Sequence, residues 1–268
     1  MATEPLGEGE DNVAFRAGDL IVRYSKASHP KTRADRVRRE AALLAVVAEH
    51  SPLPVPRPVD VDPEAGRMTY PALPGTPLLD LPRGTREELA VSVGERLGAF
   101  LAVLHAIPAE LVAGLADVDE TPVDVWLDEA VEHHAHIGSS IPVEHRAAVE
   151  AFLESPPPDE HPSPVFSHND LGVEHVLVEP ATGEITGIID WTDAAVCDPA
   201  GDFGLILRDL GPAALDAALR AHGGGVDAER AAYYARCGLL EDLGYGLTFG
   251  RTAYVDKSLG ALPWLFPG

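Results

Sequence analysis

The sequence predicts an α+β protein with a small strand-rich lobe followed by a larger, mostly helical lobe. Three observations carry that expectation. Short β-prone runs dominate before residue 75, long apolar periods of helical spacing dominate after it, and a Pro/Gly-rich joint separates the two. The first lobe is expected over residues 1–73 with a hinge at about 69–75, and the second over 76–268.

Taken in order, Leu20-Ile21-Val22-Arg23-Tyr24 reads as a strand with Ile21 and Arg23 on one face. Residues 31–50 read as a helix, because Val37, Ala41, Leu44 and Val47 recur at three-to-four spacing and Pro52 stops the run. The prolines of Pro54-Val55-Pro56-Arg57-Pro58 bias their neighbours into an extended connector. Met68-Thr69-Tyr70 forms a further strand, and Leu73-Pro74-Gly75 marks the hinge. Thr85 and Glu88 suggest a capping box. It opens a helix striped by Leu89, Val93, Leu97, Phe100, Leu104 and Ile107 and ended by Pro108. A second helix is expected over Val123–Ile137, and a third from Asp227, carrying Tyr233, Cys237, Leu240 and Leu247. Val176-Leu177-Val178 and the run from Ile185 to Ile189 flank a Thr182-Gly183 turn, the signature of a hairpin.

Composition narrows the function. The 268 residues are 46% hydrophobic and 24% charged, which excludes wholesale disorder and fibrous structure. Against 20 Lys+Arg stand 43 Asp+Glu, a net charge of -23 that argues against nucleic acid as a partner and suits a cationic small molecule. Cys197 and Cys237 are too few for a disulfide framework and read as buried thiols. Met1 to Pro5 lacks a signal-peptide pattern, and the apolar stretch Gly98–Pro108 is too short to span a bilayer. A cytoplasmic monomer with no membrane partner is the expectation.

The chemistry concentrates between residues 165 and 203. His168-Asn169-Asp170 with His175 precedes the first hairpin strand, Asp190 follows the second, and Asp198-Pro199-Ala200-Gly201-Asp202-Phe203 comes next. One carboxylate on a loop can orient a hydroxyl while another holds a metal. Phosphoryl transfer needs that division of labour, since its catalysis is positioning plus charge neutralisation. His133, His134 and His136 do not share one helix face and read as solvated. Asp193 reads as a solvated turn residue, and Asp198 as either a loop cap or a functional carboxylate.

This block resembles the phosphotransferase motif of aminoglycoside and macrolide antibiotic kinases, closest in pattern to aminoglycoside 2''-phosphotransferases. The resemblance implies a protein-kinase-like two-lobed fold and covers most of the chain, with Gly7-Glu8-Gly9-Glu10-Asp11-Asn12-Val13-Ala14-Phe15 similar to the nucleotide-loop strand pair. It implies that Asp170 orients the acceptor hydroxyl and takes its proton, that Asp190 and His175 line a Mg²⁺ site, and that His168 and Asp202 hold the catalytic loop in shape. Gly7 and Gly9 would cover the nucleotide, and Arg23, or Lys26 in its place, would grip its phosphates with Glu40 as the helix partner. Glu241 and Asp242 would face the ammonium groups of the substrate. The implied reaction transfers the γ-phosphate of ATP or GTP to a hydroxyl of an aminoglycoside, conferring resistance. The rival readings are a macrolide 2'-phosphotransferase, for which Trp191 beside Asp190 speaks, a small-molecule metabolite kinase, and a non-catalytic pseudokinase module.

Overall fold

The computed structural model describes residues 4–9, 11–159 and 163–268. Glu10 of the nucleotide-loop motif and Met1 to Thr3 lie outside them. The N-terminal part is an antiparallel five-stranded sheet in the order β1-β2-β3-β5-β4. Its strands are β1 (Glu4–Glu8), β2 (Asn12–Ala17), β3 (Leu20–Ser25), β4 (Asp60–Asp62) and β5 (Arg67–Pro71). Helix α1 (Pro30–His50) buries Val37, Leu43, Leu44 and Val47, and the pattern read from the sequence fixes its extent to within a residue. Arg23 lies opposite Ala14 on one side and Met68 on the other, at the centre of the sheet.

After β5 the chain turns through Ala72-Leu73-Pro74-Gly75 into β6 (Thr76–Pro77). This two-residue strand pairs with β9 (Val176–Val178), while the Ala72 amide donates to the Asp19 carbonyl at 2.8 Å, so the joint is tied both to the hairpin that β9 opens and to the N-terminal sheet. Gly75 is required there. Its φ is 105°, and a Cβ would sit 2.2 Å from Thr186 Oγ1 and 2.8 Å from the Val178 carbonyl.

Helices α2 (Arg83–His105), α3 (Ala109–Val112), α4 (Val123–Ile137) and α5 (Val143–Leu153) follow, with β7 (Asp117–Val118) between α3 and α4. Then come β8 (Val165–Ser167), β9, β10 (Ile185–Ile188) and β11 (Ala195–Cys197). Four more helices complete the described chain: α6 (Ala200–Leu210), α7 (Pro212–His222), α8 (Ala228–Phe249) and α9 (Thr252–Leu265). The core between them holds Phe100, Trp191, Phe203 and Phe266, each at most 1% exposed. Burial of each such side chain contributes about 1.5–3 kcal/mol.

Two local expectations are corrected. Helix α2 begins at Arg83, two residues before Thr85, with Pro82 at the N-cap and no side-chain cap. Pro82 fixes the entry, and its carbonyl accepts from the Arg86 amide at 3.0 Å, so Thr85 already lies inside the first turn. On α8, Tyr233, Cys237 and Leu240 are buried as expected, but Leu247 is exposed because the helix runs past the core.

Candidate active site

The site is built on the loop between β8 and β9. His168 is fully buried there, with its Nε2–H donating to the Ile189 carbonyl (3.0 Å) and its Nδ1 accepting from the Asp170 amide (3.3 Å). That pattern satisfies the neutral ring, and burial pushes its pKa down from 6.5 to about 4. Asp202, in the first turn of α6, accepts from the amides of His168 (3.0 Å) and Asn169 (2.9 Å). Among the described residues only Asn169 and Asp190 combine a side chain with positive φ, 64° and 60°. Both are types that tolerate this conformation, and both stand at the site.

Asp170, His175 and Asp190 come together. The His175 Nδ1–H donates to the Asp170 carbonyl (2.8 Å) and lies 3.2 Å from Asp170 Oδ2. His175 Nε2 is left facing Asp190 Oδ2 at 3.9 Å. Burial, reinforced by Glu174, Asp193 and Asp190 against the opposing pull of His175, pushes the Asp170 carboxyl up to about 8. Arg23 and His175 hold the Asp190 carboxyl below its ordinary value against the opposite effect of burial. A ring nitrogen and a carboxylate oxygen offer two ligands to a divalent cation. Among the described residues no third His, Cys, Asp or Glu completes a protein cage. The Asp190 carboxylate is the oxygen donor that Mg²⁺ prefers and His175 Nε2 a softer nitrogen beside it, so Asp190 would be the principal protein ligand, with phosphate oxygens and water filling the octahedron.

Arg23 reaches Glu40, Asp190 (3.2 Å) and the Thr192 hydroxyl. Burial alone would lower its pKa, but Glu40 and Asp190 outweigh burial and raise it. Lys26 turns away to donate to the Gly9 carbonyl at 3.1 Å. Gly9 lies in the β1–β2 turn, where its amide donates to the Asn12 carbonyl (3.0 Å), and Gly7 lies on β1 opposite Ala14.

Beside Asp170 opens a cavity of about 490 Å³. Asp119, Asp170, Glu174, Asp193, Asp198, Glu241 and Asp242 line it, against the guanidiniums of Arg208 and Arg230. Glu241 is exposed on this wall. Asp242 is not: it pairs with Lys257 (2.8 Å) and Arg208 (3.3 Å), so its charge is already answered inside the protein. Asp198 closes the loop before α6, accepting from the Ala200 amide (2.9 Å), and it also binds Arg230 and the Tyr234 hydroxyl (3.0 Å). Trp191 is buried against His168, with its Nε1–H donating to the Ile188 carbonyl (3.1 Å), and lies off this cavity. The sequence reading missed Glu174, Arg208, Asp209 and Lys257. The adjacent charges Arg208-Asp209 inside the apolar run Leu205 to Leu210 were the available signal.

A strand-rich lobe with a buried cation–glutamate pair, a loop aspartate and a second aspartate after a hairpin define a kinase-like phosphotransferase. The profile of the Phosphotransferase enzyme family matches residues 2–238, and the chain belongs to that family. It is therefore an enzyme that phosphorylates a hydroxyl group. It is 28% identical over 227 residues to the aminoglycoside 3'-phosphotransferase of Streptomyces fradiae, covering 76% of this chain and 80% of that protein. The macrolide 2'-phosphotransferase MphH from Brachybacterium faecium superposes with a TM-score of 0.62 at 29% identity, covering 97% and 91% of the two chains. The GDP complex of aminoglycoside 2'-phosphotransferase-IIIa shares the fold, with a TM-score of 0.67, 23% identity and coverage of 98% and 91%.

Proposed function

We propose that the protein transfers the γ-phosphate of a nucleoside triphosphate to a hydroxyl of a cationic antibiotic, an aminoglycoside. The observation that carries this reading is the carboxylate-rich cavity beside Asp170, which offers ammonium groups several charge-assisted partners. A macrolide pocket would be largely apolar with few carboxylates. Relatives that act on aminoglycosides support the same class.

In this reading Asp170 orients the acceptor hydroxyl and accepts its proton as the phosphoryl group departs from the nucleotide. Asp190 and His175 would hold Mg²⁺, which would supply charge neutralisation on the nucleotide phosphates. Arg23, kept in place by Glu40, presents a guanidinium that can fork onto those phosphates. The β1–β2 turn with Gly7 and Gly9 covers the nucleotide, and His168 and Asp202 fix the loop. The lobe boundary falls at 69–75.

The test is nucleotide turnover by the purified protein with Mg²⁺, run with ATP and GTP against panels of aminoglycosides and macrolides. Stimulation by aminoglycosides is expected; stimulation by macrolides alone overturns the substrate class. Asp170→Ala should lower kcat by roughly 10²–10⁴-fold while nucleotide affinity, followed by fluorescence, is retained. Full activity in that variant refutes the mechanism.

A further inference from the structure

Helix α9 lies beyond the residues that the family profile matches, yet it delivers a buried lysine to the underside of the catalytic loop. Lys257 is 5% exposed. Its ammonium stands 3.1 Å from Glu174, 3.3 Å from Asp209 and 2.8 Å from Asp242. Arg208 completes the cluster, donating to Asp209 from Nε (2.7 Å) and from a terminal nitrogen (3.1 Å). Three carboxylates thus share two cations, and one of the three belongs to the catalytic loop itself.

The loop is shaped around this cluster. The Glu174 carboxylate folds back beneath Gly172, where a Cβ would lie 2.7 Å from it, and from there it meets Lys257. Asp209 accepts from the Val173 amide at 3.1 Å. The His175 amide closes the turn onto the Gly172 carbonyl (2.9 Å), and the His175 ring then reaches back to Asp170. A continuous chain of contacts therefore runs from Lys257 through Glu174 to His175 and Asp170.

We infer that Lys257 is a positioning residue for phosphoryl transfer, acting through Glu174 to hold His175 and the Asp170 carboxylate in register. The inference rests on Asp170 being the residue that orients the acceptor. Without the Lys257 charge, three carboxylates face Arg208 alone, and Glu174 is the one on a loop free to leave. A displaced Glu174 takes the 172–175 turn with it. Small displacements of a reacting group cost large factors in rate without loosening substrate binding.

Lys257→Met and Glu174→Gln are the variants, assayed with the aminoglycoside that wild type turns over best. Each is expected to lower kcat at least tenfold with the nucleotide KM within threefold of wild type. The double variant should be no slower than the slower single, because both act through one contact. A folded Lys257→Met or Glu174→Gln protein with kcat within threefold of wild type overturns the inference, as does a fully multiplicative double loss. Should Lys257→Met fail to fold, Glu174→Gln decides alone, since it keeps the side-chain volume and relieves the carboxylate excess. Hydrogen exchange needs no acceptor. Amides 168–176 should exchange at least tenfold faster in Glu174→Gln while those of α2 do not change, and unchanged loop protection overturns the inference. Wild type inert toward every aminoglycoside would count against the proposed substrate class and leave this exchange test standing.

Discussion

His168 shows how one side chain couples the catalytic loop to stability. Burial holds it neutral, and a second proton on Nδ1 would face the Asp170 N–H. The folded protein therefore binds that proton only near pH 4, whereas the unfolded chain binds it near 6.5. Folded-state protonation is disfavoured, so the contribution is complete above the unfolded value and declines as pH falls from 6.5 towards 4. The full loss is about 3 kcal/mol, taking 1.36 kcal/mol per unit. Asp170, whose carboxyl is pushed up to about 8, works in the opposite sense over the same range. The readout is therefore the stability difference between wild type and His168→Gln in urea at pH 7, 5.5 and 4.5. It should shrink as pH falls, and a difference independent of pH would assign the effect to other groups. Part of the site was legible at this scale. Asp170, His175 and Asp190 converge because motif spacing places them around one hairpin. Lys257 was not legible, since its partners are 15, 48 and 83 positions away and no periodicity links them.

Elements were legible where an apolar stripe alternates with a polar face. Helix α1 follows the spacing read from sequence, α8 follows it as far as Leu240, and α4 has the bounds read from sequence. Helix α6 is only 11 residues long and is buried on nearly every side, from Ala200 and Phe203 to Leu207 and Arg208, so its charged residues Asp202 and Arg208 lie in the interior rather than on a solvent face. Strands β8 and β11 have three residues each, too few for a period of two to show. The glycines of α2 carry a prediction that propensity alone would reverse. Gly98 meets α7 so closely that a Cβ would lie 2.1 Å from the Ala218 carbonyl oxygen, and Gly94 meets Ala214 in the same way. Alanine at an ordinary helix position gains up to about 1 kcal/mol over glycine. At Gly98 the overpacking cost wins, and Gly98→Ala should lose about 1–3 kcal/mol. Gly84, exposed on the same helix with nothing within 4 Å, should instead gain a few tenths to about 1 kcal/mol as Gly84→Ala. Thermal unfolding of both variants measures this, and a gain at Gly98 would mean that α2 and α7 are less closely packed.

Over the whole molecule, the net charge of -23 and the acidic cavity act together. On the proposed aminoglycoside reading, a cationic acceptor would be drawn in by a field that salt screens, the Debye length falling from about 10 Å at 0.1 M to about 3 Å at 1 M. Between 0.05 and 0.5 M NaCl the acceptor KM should rise roughly tenfold with kcat nearly constant. A KM indifferent to salt would show that the cavity carboxylates are fully answered by their internal partners. The α+β division was legible because the joint at Gly75 separates two kinds of pattern. The pairing of β6 with β9 was not, because two residues with a proline among them carry no strand signal. The cluster around Lys257 also has a direction in time. Synthesis delivers Glu174, Asp209 and Asp242 before the lysine that balances them, the last of these by 15 residues, or about one to three seconds of translation. For that interval the nascent chain carries three carboxylates with Arg208 as their counter-charge, so, with Lys257 acting as inferred above, the 172–175 turn would take its final shape only after α9 has docked.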